Sequence, residues 1–138
     1  MAEALRRVTT GIGRALRLRC PRCGRAPLYP PCELSGGRAA RRAVKFVRNW
    51  FTMNAVCPVC YLKFERAQGY WVGAIYVNYG VTTLVAVTGY FLLWARTDLS
   101  TAAQLWIWLP FCVVFPLWFF RYSRSLWLAV EYGLNPNP

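Results

Sequence analysis

Two long apolar stretches occupy the second half of the chain. No charged side chain occurs from Tyr70 to Ala95 or from Leu99 to Phe120. Each stretch is long enough for a helix to cross about 30 Å of hydrocarbon, which takes roughly 20 residues. Buried core helices are the alternative, but 138 residues leave little chain to enclose two of them. The pattern predicts two transmembrane helices, 69–95 and 99–120, joined as a hairpin by the loop 96–98.

Small residues follow one face of the first predicted span. Gly69, Gly73 and Gly80 fall on a helical stripe, where they would allow close approach of another helix. Chance placement of these glycines is the alternative. Asn78 is the only amide side chain of this span and needs a partner helix or a water. The two prolines of the second span predict kinks in its backbone.

Two segments of the first half are basic and amphipathic. In residues 1–18, apolar residues recur at helical spacing and arginines lie at the sides, which predicts an interfacial helix on anionic headgroups. A frayed basic tail is the alternative. A second basic stripe runs from Arg38 to Arg48 and predicts a short helix with a solvated or lipid-facing side. The residues expected to contact anionic lipid or a partner are Arg6, Arg7, Arg14, Arg17, Arg41, Arg42, Arg48, Arg121 and Arg124.

The distribution of positive charge predicts the orientation of the hairpin. Of 17 Lys and Arg residues, 14 precede Gly69, whereas the loop between the spans holds only Arg96. Short loops rich in Lys and Arg stay in the cytoplasm. We therefore expect a membrane protein with a cytoplasmic front half and a cytoplasmic tail, 121–138. In that reducing compartment, paired cysteines more often hold a metal than form disulfides.

Four cysteines form two C-P-x-C turns separated by 33 residues, in a chain without histidine. They are Cys20, Cys23, Cys57 and Cys60. A two-residue gap lets one turn direct two thiolates at the same ion, and four thiolates make a closed site typical of structural zinc. The pattern predicts a zinc ribbon with β-knuckles over 19–68. Rubredoxin-like iron would suit the same sulfurs; metal-free thiols and a redox dithiol are further alternatives.

The residues around the turns support the metal hypothesis with one exception. Gly24 can adopt the left-handed backbone that such a turn needs, whereas Tyr61 holds the equivalent position at a cost in strain. Four thiolates with one Zn²⁺ carry negative charge, which nearby cations would offset. These are Arg19, Arg22, Arg25 and Lys63. Cys32 is expected to be a spare thiol or fallback ligand, and Cys112 an apolar filler within the second span.

The residue types argue against catalysis and transport. The chain has no histidine, and its five acidic residues are well separated in the sequence, so no close acid–base pair can be proposed. The predicted spans contain no ionisable residue that could relay a proton or bind a charged substrate. We therefore expect a protein without enzymatic activity and without a small-molecule substrate.

Three motifs carry a resemblance to a known family. "LRCPRCGRAPLY", "CPVCYLKFERAQGYWVGAIYVNYG" and "FRYSRSLWLAVEY" together resemble the bacterial membrane-protein family catalogued as domain of unknown function 983, over residues 17–132. The resemblance implies a cytoplasmic zinc ribbon followed by a membrane hairpin, without an established activity. Genes of the family often lie near terminal-oxidase and oxidase-assembly genes, which implies a respiratory association. Tyr61, where the family usually has glycine, and the extra Cys32 depart from the pattern.

Together these observations lead to one functional expectation and two alternatives. The chain is expected to be a non-catalytic accessory or assembly subunit of a larger respiratory or photosynthetic membrane complex, with a structural zinc site of four cysteines. The first alternative is a membrane-tethered zinc ribbon that binds nucleic acid or has a regulatory role, although a basic flank already has an electrostatic reason in anionic lipid. The second is a metal-handling assembly factor for a terminal oxidase.

Overall fold

The computed structural model describes residues 2–30 and 39–136, and this part of the chain contains four helices. They are α1 (Ala2–Ala15), α2 (Ala39–Phe51), α3 (Val72–Arg96) and α4 (Thr101–Leu134). One C-P-x-C turn lies between α1 and α2, and the other lies between α2 and α3.

Helices α3 and α4 form an antiparallel hairpin whose helices are both long and apolar enough to cross a membrane. Only 17% and 6% of their most apolar windows are buried, whereas a core helix of a soluble protein would be mostly covered. The tight connection is built by local caps. The Thr97 hydroxyl donates to the carbonyl of Leu93 at 2.6 Å, and the Ser100 side chain accepts from the N–H of Ala103 at 3.3 Å.

Helix α4 continues well beyond the predicted end of the second span. Its 34 residues span about 51 Å, of which about 30 Å would cross hydrocarbon. The predicted boundary at Phe120 marks no break, and both prolines lie inside the helix. The buried residues of α4 concentrate after that boundary, where they include Ser123, Ser125, Leu128, Ala129 and Gly133, whereas Gln104 is the buried residue before it. The segment of α4 after Phe120, which we call the post, is therefore helical and packed against other parts of the chain.

Helix α1 packs along this post, antiparallel to α4. A Cβ added to Gly11 would lie 3.4 Å from the Cβ of Ala129, and one added to Gly133 would meet the backbone of Val8 at 3.1 Å. The hydroxyl of Ser125 donates to the carbonyl of Ala15 at 2.8 Å. Small residues on both helices thus allow close contact, and this contact uses the apolar face that was predicted to lie on lipid.

The two cysteine turns and α1 form, with α4 from Arg121 to Leu134, a unit that we call the cap. Its core consists of buried residues from both turns and from α4. They are Cys20, Ala26, Leu28, Tyr29, Cys57, Leu62, Phe64 and Leu128. Because Leu128 belongs to this cluster, the cysteine turns share one core with the membrane-length helix.

The β-structure expected of a zinc ribbon is reduced to single bridges in the described residues. Arg19 pairs with Pro27 across the first turn, and Val56 pairs with Lys63 across the second. No strand extends from either bridge in residues 2–30 or 39–136. In the first turn a physical reason is visible, because Pro27 has no N–H to donate to a ladder. The predicted β-knuckle ribbon is therefore not confirmed, whereas the cysteine cluster and the helical hairpin are present.

Substitution of Gly133 should test the contact between α1 and α4. We expect Gly133→Ala to weaken docking of α1 by about 1–3 kcal/mol, because the new Cβ would meet backbone of α1. Gly13→Ala is the matched control, since nothing lies within 4 Å of its Cβ position. That control should stabilise α1 by about 0.5–1 kcal/mol through helix propensity. Hydrogen exchange of the α1 amides measures both effects; equal protection in the two variants would contradict the proposed contact.

Candidate metal centre

The four cysteine sulfurs lie close enough together to ligate one metal ion. All four Sγ atoms lie within 4.8 Å of one another. The Sγ atoms of Cys20 and Cys60 are 3.6 Å apart, and those of Cys23 and Cys57 are 3.7 Å apart. A tetrahedral zinc site with Zn–S bonds of about 2.3 Å has sulfur–sulfur edges of about 3.8 Å. The donor set and these two distances therefore fit a tetrathiolate site.

Each pair of ligands is presented by a turn that closes on its own backbone. In the first turn the N–H of Gly24 donates to the carbonyl of Cys20 at 2.8 Å. In the second turn the N–H of Tyr61 donates to the carbonyl of Cys57 at 3.0 Å. A further bond, from the N–H of Asn54 to the carbonyl of Leu28, joins the second turn to the first.

The residue after each turn has the left-handed backbone that the sequence predicted. Gly24 has φ +67° and Tyr61 has φ +57°. Glycine adopts this conformation without penalty, whereas a residue with a Cβ pays about 1–2 kcal/mol. The side chain of Tyr61 is 80% exposed, so no described burial offsets that strain. The second turn therefore holds its two sulfurs in a strained backbone.

Burial and backbone donors give the thiols different acidities. Burial raises the pKa of Cys20 well above its usual range, and burial, followed by the Cys57 thiol, raises the pKa of Cys60. Burial also opposes ionisation of Cys23, but backbone N–H groups of Ala26 and Arg25 outweigh it and lower the pKa to about 6. The metal-free site therefore combines thiols of raised pKa with one thiol of lowered pKa.

Arg14 supports the first turn from α1. Its Nη1 donates to the carbonyls of Pro21 and Arg22, each at 2.8 Å. A Cβ on Gly24 would lie 2.9 Å from its Nε, so glycine is also needed for space. The sequence placed Arg14 among the lipid or partner contacts, whereas its guanidinium braces the metal turn.

A second polar cluster links the start of α3 to the end of α4. Arg66 forms an ion pair with Glu131 at 3.4 Å and donates to the carbonyl of Asn135 at 2.8 Å. The Tyr70 hydroxyl donates to the other Glu131 oxygen at 2.6 Å. The Arg66 and Glu131 side chains are only 13% and 20% exposed. The sequence analysis did not predict this cluster. Glu131, a single acidic residue in a largely apolar tail, could have indicated that a buried cation lies nearby.

Arg121 and Arg124 lie at the joint between the cap and the hairpin. The Arg121 guanidinium lies over the rings of Tyr29 and Trp50, with centroids at 4.2 and 4.8 Å. The Arg124 guanidinium lies over the ring of Trp71 at 4.7 Å, and it also lies over an aromatic ring of α4 itself. Such contacts are favourable electrostatic interactions with the ring faces. Both side chains therefore have structural partners within the chain, besides any lipid that they contact.

The other predicted contact residues differ in their surroundings. Arg7 forms an ion pair with Glu3, while Arg6, Arg17 and Arg48 are exposed. The side chains of Arg41 and Arg42 lie outside the described part of the structure, as does Cys32. Cys112 is an exposed free thiol on α4, not a buried filler.

The predicted packing glycines have three different positions. Gly73 lies against the indole of Trp127, which leaves no room for an added Cβ. Gly80 has nothing within 4 Å, and Gly69, with φ +76°, belongs to the turn before α3. Gly89, which the sequence reasoning passed over, makes the second close contact of the hairpin, with Trp108 of α4. Of the three predicted packing glycines, Gly73 therefore contacts α4 within the hairpin, and Gly69 and Gly80 do not.

Asn78 has the helix partner that its position required. Its Nδ2 donates to the carbonyl of Pro116 at 3.1 Å. The Oδ1 is buried without a hydrogen-bond partner in the described residues.

Exchanging the residues with positive φ should change how tightly the site retains metal. Tyr61→Gly removes about 1 kcal/mol of backbone strain, which should lengthen the half-time of metal transfer to a chelator about fivefold. Gly24→Ala should shorten it, because alanine is strained at φ +67° and its Cβ approaches Arg14. Zn²⁺ release monitored with a chromophoric chelator measures both rates. Faster release from Tyr61→Gly than from the wild type would contradict this account.

Zinc affinity should rise steeply with pH. Because the pKa values of Cys20 and Cys60 are raised, both must lose protons on binding at neutral pH. Release of at least two protons increases the apparent affinity by at least about 100-fold per pH unit near neutral pH. Competition with a chelator of known pH dependence measures this slope, and Cys112→Ser should reproduce it. A pH-independent affinity would show that the thiols are already ionised.

Comparison with known proteins identifies a family but no characterised relative. The model of the family described as protein of unknown function (DUF983) matches residues 47–132. The match includes the second cysteine turn, the hairpin and most of the post, and it begins after the first turn. Searches of curated proteins and of solved structures give no significant match. Since the match covers more than half of the chain, the protein belongs to the DUF983 family.

Proposed function

We propose that this protein is a non-catalytic integral membrane protein, which serves as an accessory or assembly subunit of a larger respiratory or photosynthetic complex. A structural zinc ion bound by the four cysteines would hold its cap together. The observation that carries the proposal is the shared core, in which Leu128 of a membrane-length helix belongs to the same buried cluster as Cys20 and Cys57. A metal at this position would fix the cap rigidly to the membrane anchor.

The burial of the ligands supports a structural ion over one that is passed to a client. Cys20 and Cys57 are 0% exposed, and Cys23 and Cys60 are half-buried. A site with four protein ligands has no open coordination position for a substrate, which is typical of structural zinc. A metal-handling factor would need a ligand that an incoming protein can reach and replace.

The positive charge of the cap supports a cytoplasmic position for it. Fourteen of the 17 cations precede Gly69, and two of the remaining three, Arg121 and Arg124, lie at the joint with the hairpin. Arg96 is the cation at the opposite end of the hairpin. This asymmetry follows the positive-inside rule and supports a bacterial inner-membrane protein with both termini in the cytoplasm.

The proposal of a non-catalytic role rests on the residues that could act as acids or bases. The chain has no histidine, and Glu131 is engaged by Arg66 and Tyr70 in a contact that joins α3 to α4. Support for a larger complex comes from the family resemblance, which associates such chains with terminal oxidases and their assembly. The exposed apolar faces of the hairpin offer a surface for partner helices.

Purification under native conditions with metal analysis tests this function. The tagged chain, extracted from its own membranes in mild detergent, should carry one zinc per chain and migrate with stoichiometric partner subunits. Cys57→Ser should lose both the zinc and the partners, whereas Cys112→Ser, which changes an exposed thiol outside the cluster, should retain both. Mass spectrometry identifies the partners. Recovery only as a free chain would overturn the accessory role, and four-sulfur iron would overturn the choice of zinc.

One observation favours a second candidate function, the binding of nucleic acid. A recess of about 320 Å³ between α1 and the first cysteine turn is lined by four arginines together with Glu3, Thr10, Pro21 and Tyr132. The arginines are Arg6, Arg7, Arg14 and Arg22. Nuclease-sensitive nucleic acid in the same purified sample would favour this candidate, since phosphate binding needs such clustered cations.

A further inference from the structure

Helix α2 leaves an apolar face uncovered, in contrast to α1. Val44 and Val47 are 70% and 53% exposed, although both lie on the apolar side of the helix. Lys45 lies roughly opposite Val47, whereas Arg48 follows Val44 by one turn, at the border between the basic and apolar sides; both cations are exposed. A helix with one basic and one apolar face is typical of segments that lie in the membrane interface. These features favour an interfacial position for α2, for which the sequence predicted a solvated or lipid-facing side.

The contacts of α2 place it where α4 would leave the hydrocarbon. The indole Nε1 of Trp50 donates to the carbonyl of Leu117 at 3.2 Å. The ring of Phe51 packs edge-on against that of Phe120, with centroids 5.1 Å apart. Since the apolar stretch of α4 ends at Phe120, α2 lies at the cap-side edge of the hairpin.

An apolar groove runs from α2 along α4. Its upper part, of about 310 Å³, is lined only by apolar and aromatic side chains of the two helices: Phe46, Val47, Trp50, Phe51, Val114, Leu117 and Trp118. A second cavity of about 490 Å³ continues along α4 and shares Val114 and Trp118 with the first. From Trp118 to Ile107 the groove extends about 16 Å along the helix axis. That length matches one leaflet, which contributes about 15 Å of hydrocarbon.

Positive charge lies at the upper end of the groove. Arg121 is one turn beyond Leu117 and Trp118, and its guanidinium lies over the ring of Trp50, which lines the groove. The Arg121 Nε is buried without a hydrogen-bond partner in the described residues. Arg48, at the same end of α2 as Trp50, is exposed. A phosphate at the headgroup level would face these cations.

We propose that this groove binds one acyl chain of an anionic phospholipid from the cap-side leaflet, with the phosphate held near Arg121 and α2. The proposal rests on the membrane insertion of α3 and α4 proposed above, and it requires neither zinc nor a partner complex. An all-apolar groove of leaflet length, with cations at its upper end, complements an anionic lipid better than a neutral lipid or a peptide.

Photo-crosslinking in nanodiscs tests the proposal with the full, purified chain. The nanodiscs contain either phosphatidylglycerol or phosphatidylcholine, each with a small fraction of the same lipid carrying a diazirine on its acyl chain. Mass spectrometry of crosslinked peptides should show preferential labelling of α2 and of the Ile107–Trp118 segment in phosphatidylglycerol, severalfold above phosphatidylcholine. Exposed residues of α3, such as Leu84 and Phe91, should be labelled equally in both lipids, because they contact bulk lipid.

Two neighbouring valines provide matched variants. Val114 lines both cavities and Val113 lines neither, yet each is 63% exposed, so tryptophan at either position should be tolerated by the fold. Val114→Trp should reduce groove labelling several-fold, whereas Val113→Trp should leave it unchanged. Arg48→Gln should reduce the preference for phosphatidylglycerol.

Three outcomes would overturn the proposal. Equal labelling of the groove and of α3, unaffected by Val114→Trp, would show only bulk lipid at this surface. Groove labelling without preference for the anionic lipid would remove the headgroup contact. Absence of labelling on both the groove and α3 would show that the hairpin is not inserted in the bilayer. That result would also overturn the proposed membrane function, whereas the first two outcomes would leave that function standing.

Discussion

The clustering of four thiols is the interaction on which the rest of the cap depends. Each cysteine turn is closed by a single β-bridge, and the shared core contains only a few large apolar side chains, such as Leu28 and Phe64. A core of this size does not hold so short a segment by hydrophobic burial alone. A metal ion bound by the four thiolates would stabilise the folded cap further, because its binding free energy is also folding free energy. The same ion would oppose the strain at Tyr61.

The continuity of α4 connects this centre to the apolar hairpin. One uninterrupted helix carries the apolar surface of the hairpin, the joint formed by Arg121 and the core residue Leu128. A helix transmits position over such a distance because its backbone hydrogen bonds are internal. The ion pair between Arg66 and Glu131 adds a second connection, from the start of α3 to the end of α4. Helix α4 and this ion pair thus both connect the cap to the hairpin.

The arginines of the chain serve several purposes that their number alone does not reveal. Arg14 supports the backbone of the first turn, and Arg121 and Arg124 lie on aromatic rings at the joint. Arginine suits these sites because its planar group can donate several hydrogen bonds and stack at the same time. Exposed cations such as Arg48, and Arg121 beside the groove, would also lie near the phosphate of the proposed lipid. The arginines therefore contribute both positive charge and specific structural contacts within the chain.

The amino-acid sequence by itself determined the features that depend on local pattern. The two apolar helices follow from uninterrupted runs of uncharged residues, and the close approach of four sulfurs follows from the repeated C-P-x-C spacing, as does the positive φ at Gly24 and Tyr61. Only the tertiary structure decided which amphipathic helix is covered. Gly11 and Gly133 bring α1 onto α4, whereas α2 keeps Val44 and Val47 exposed. Periodicity shows that a helix has an apolar face, but what covers that face depends on the shapes of two surfaces that are distant in sequence.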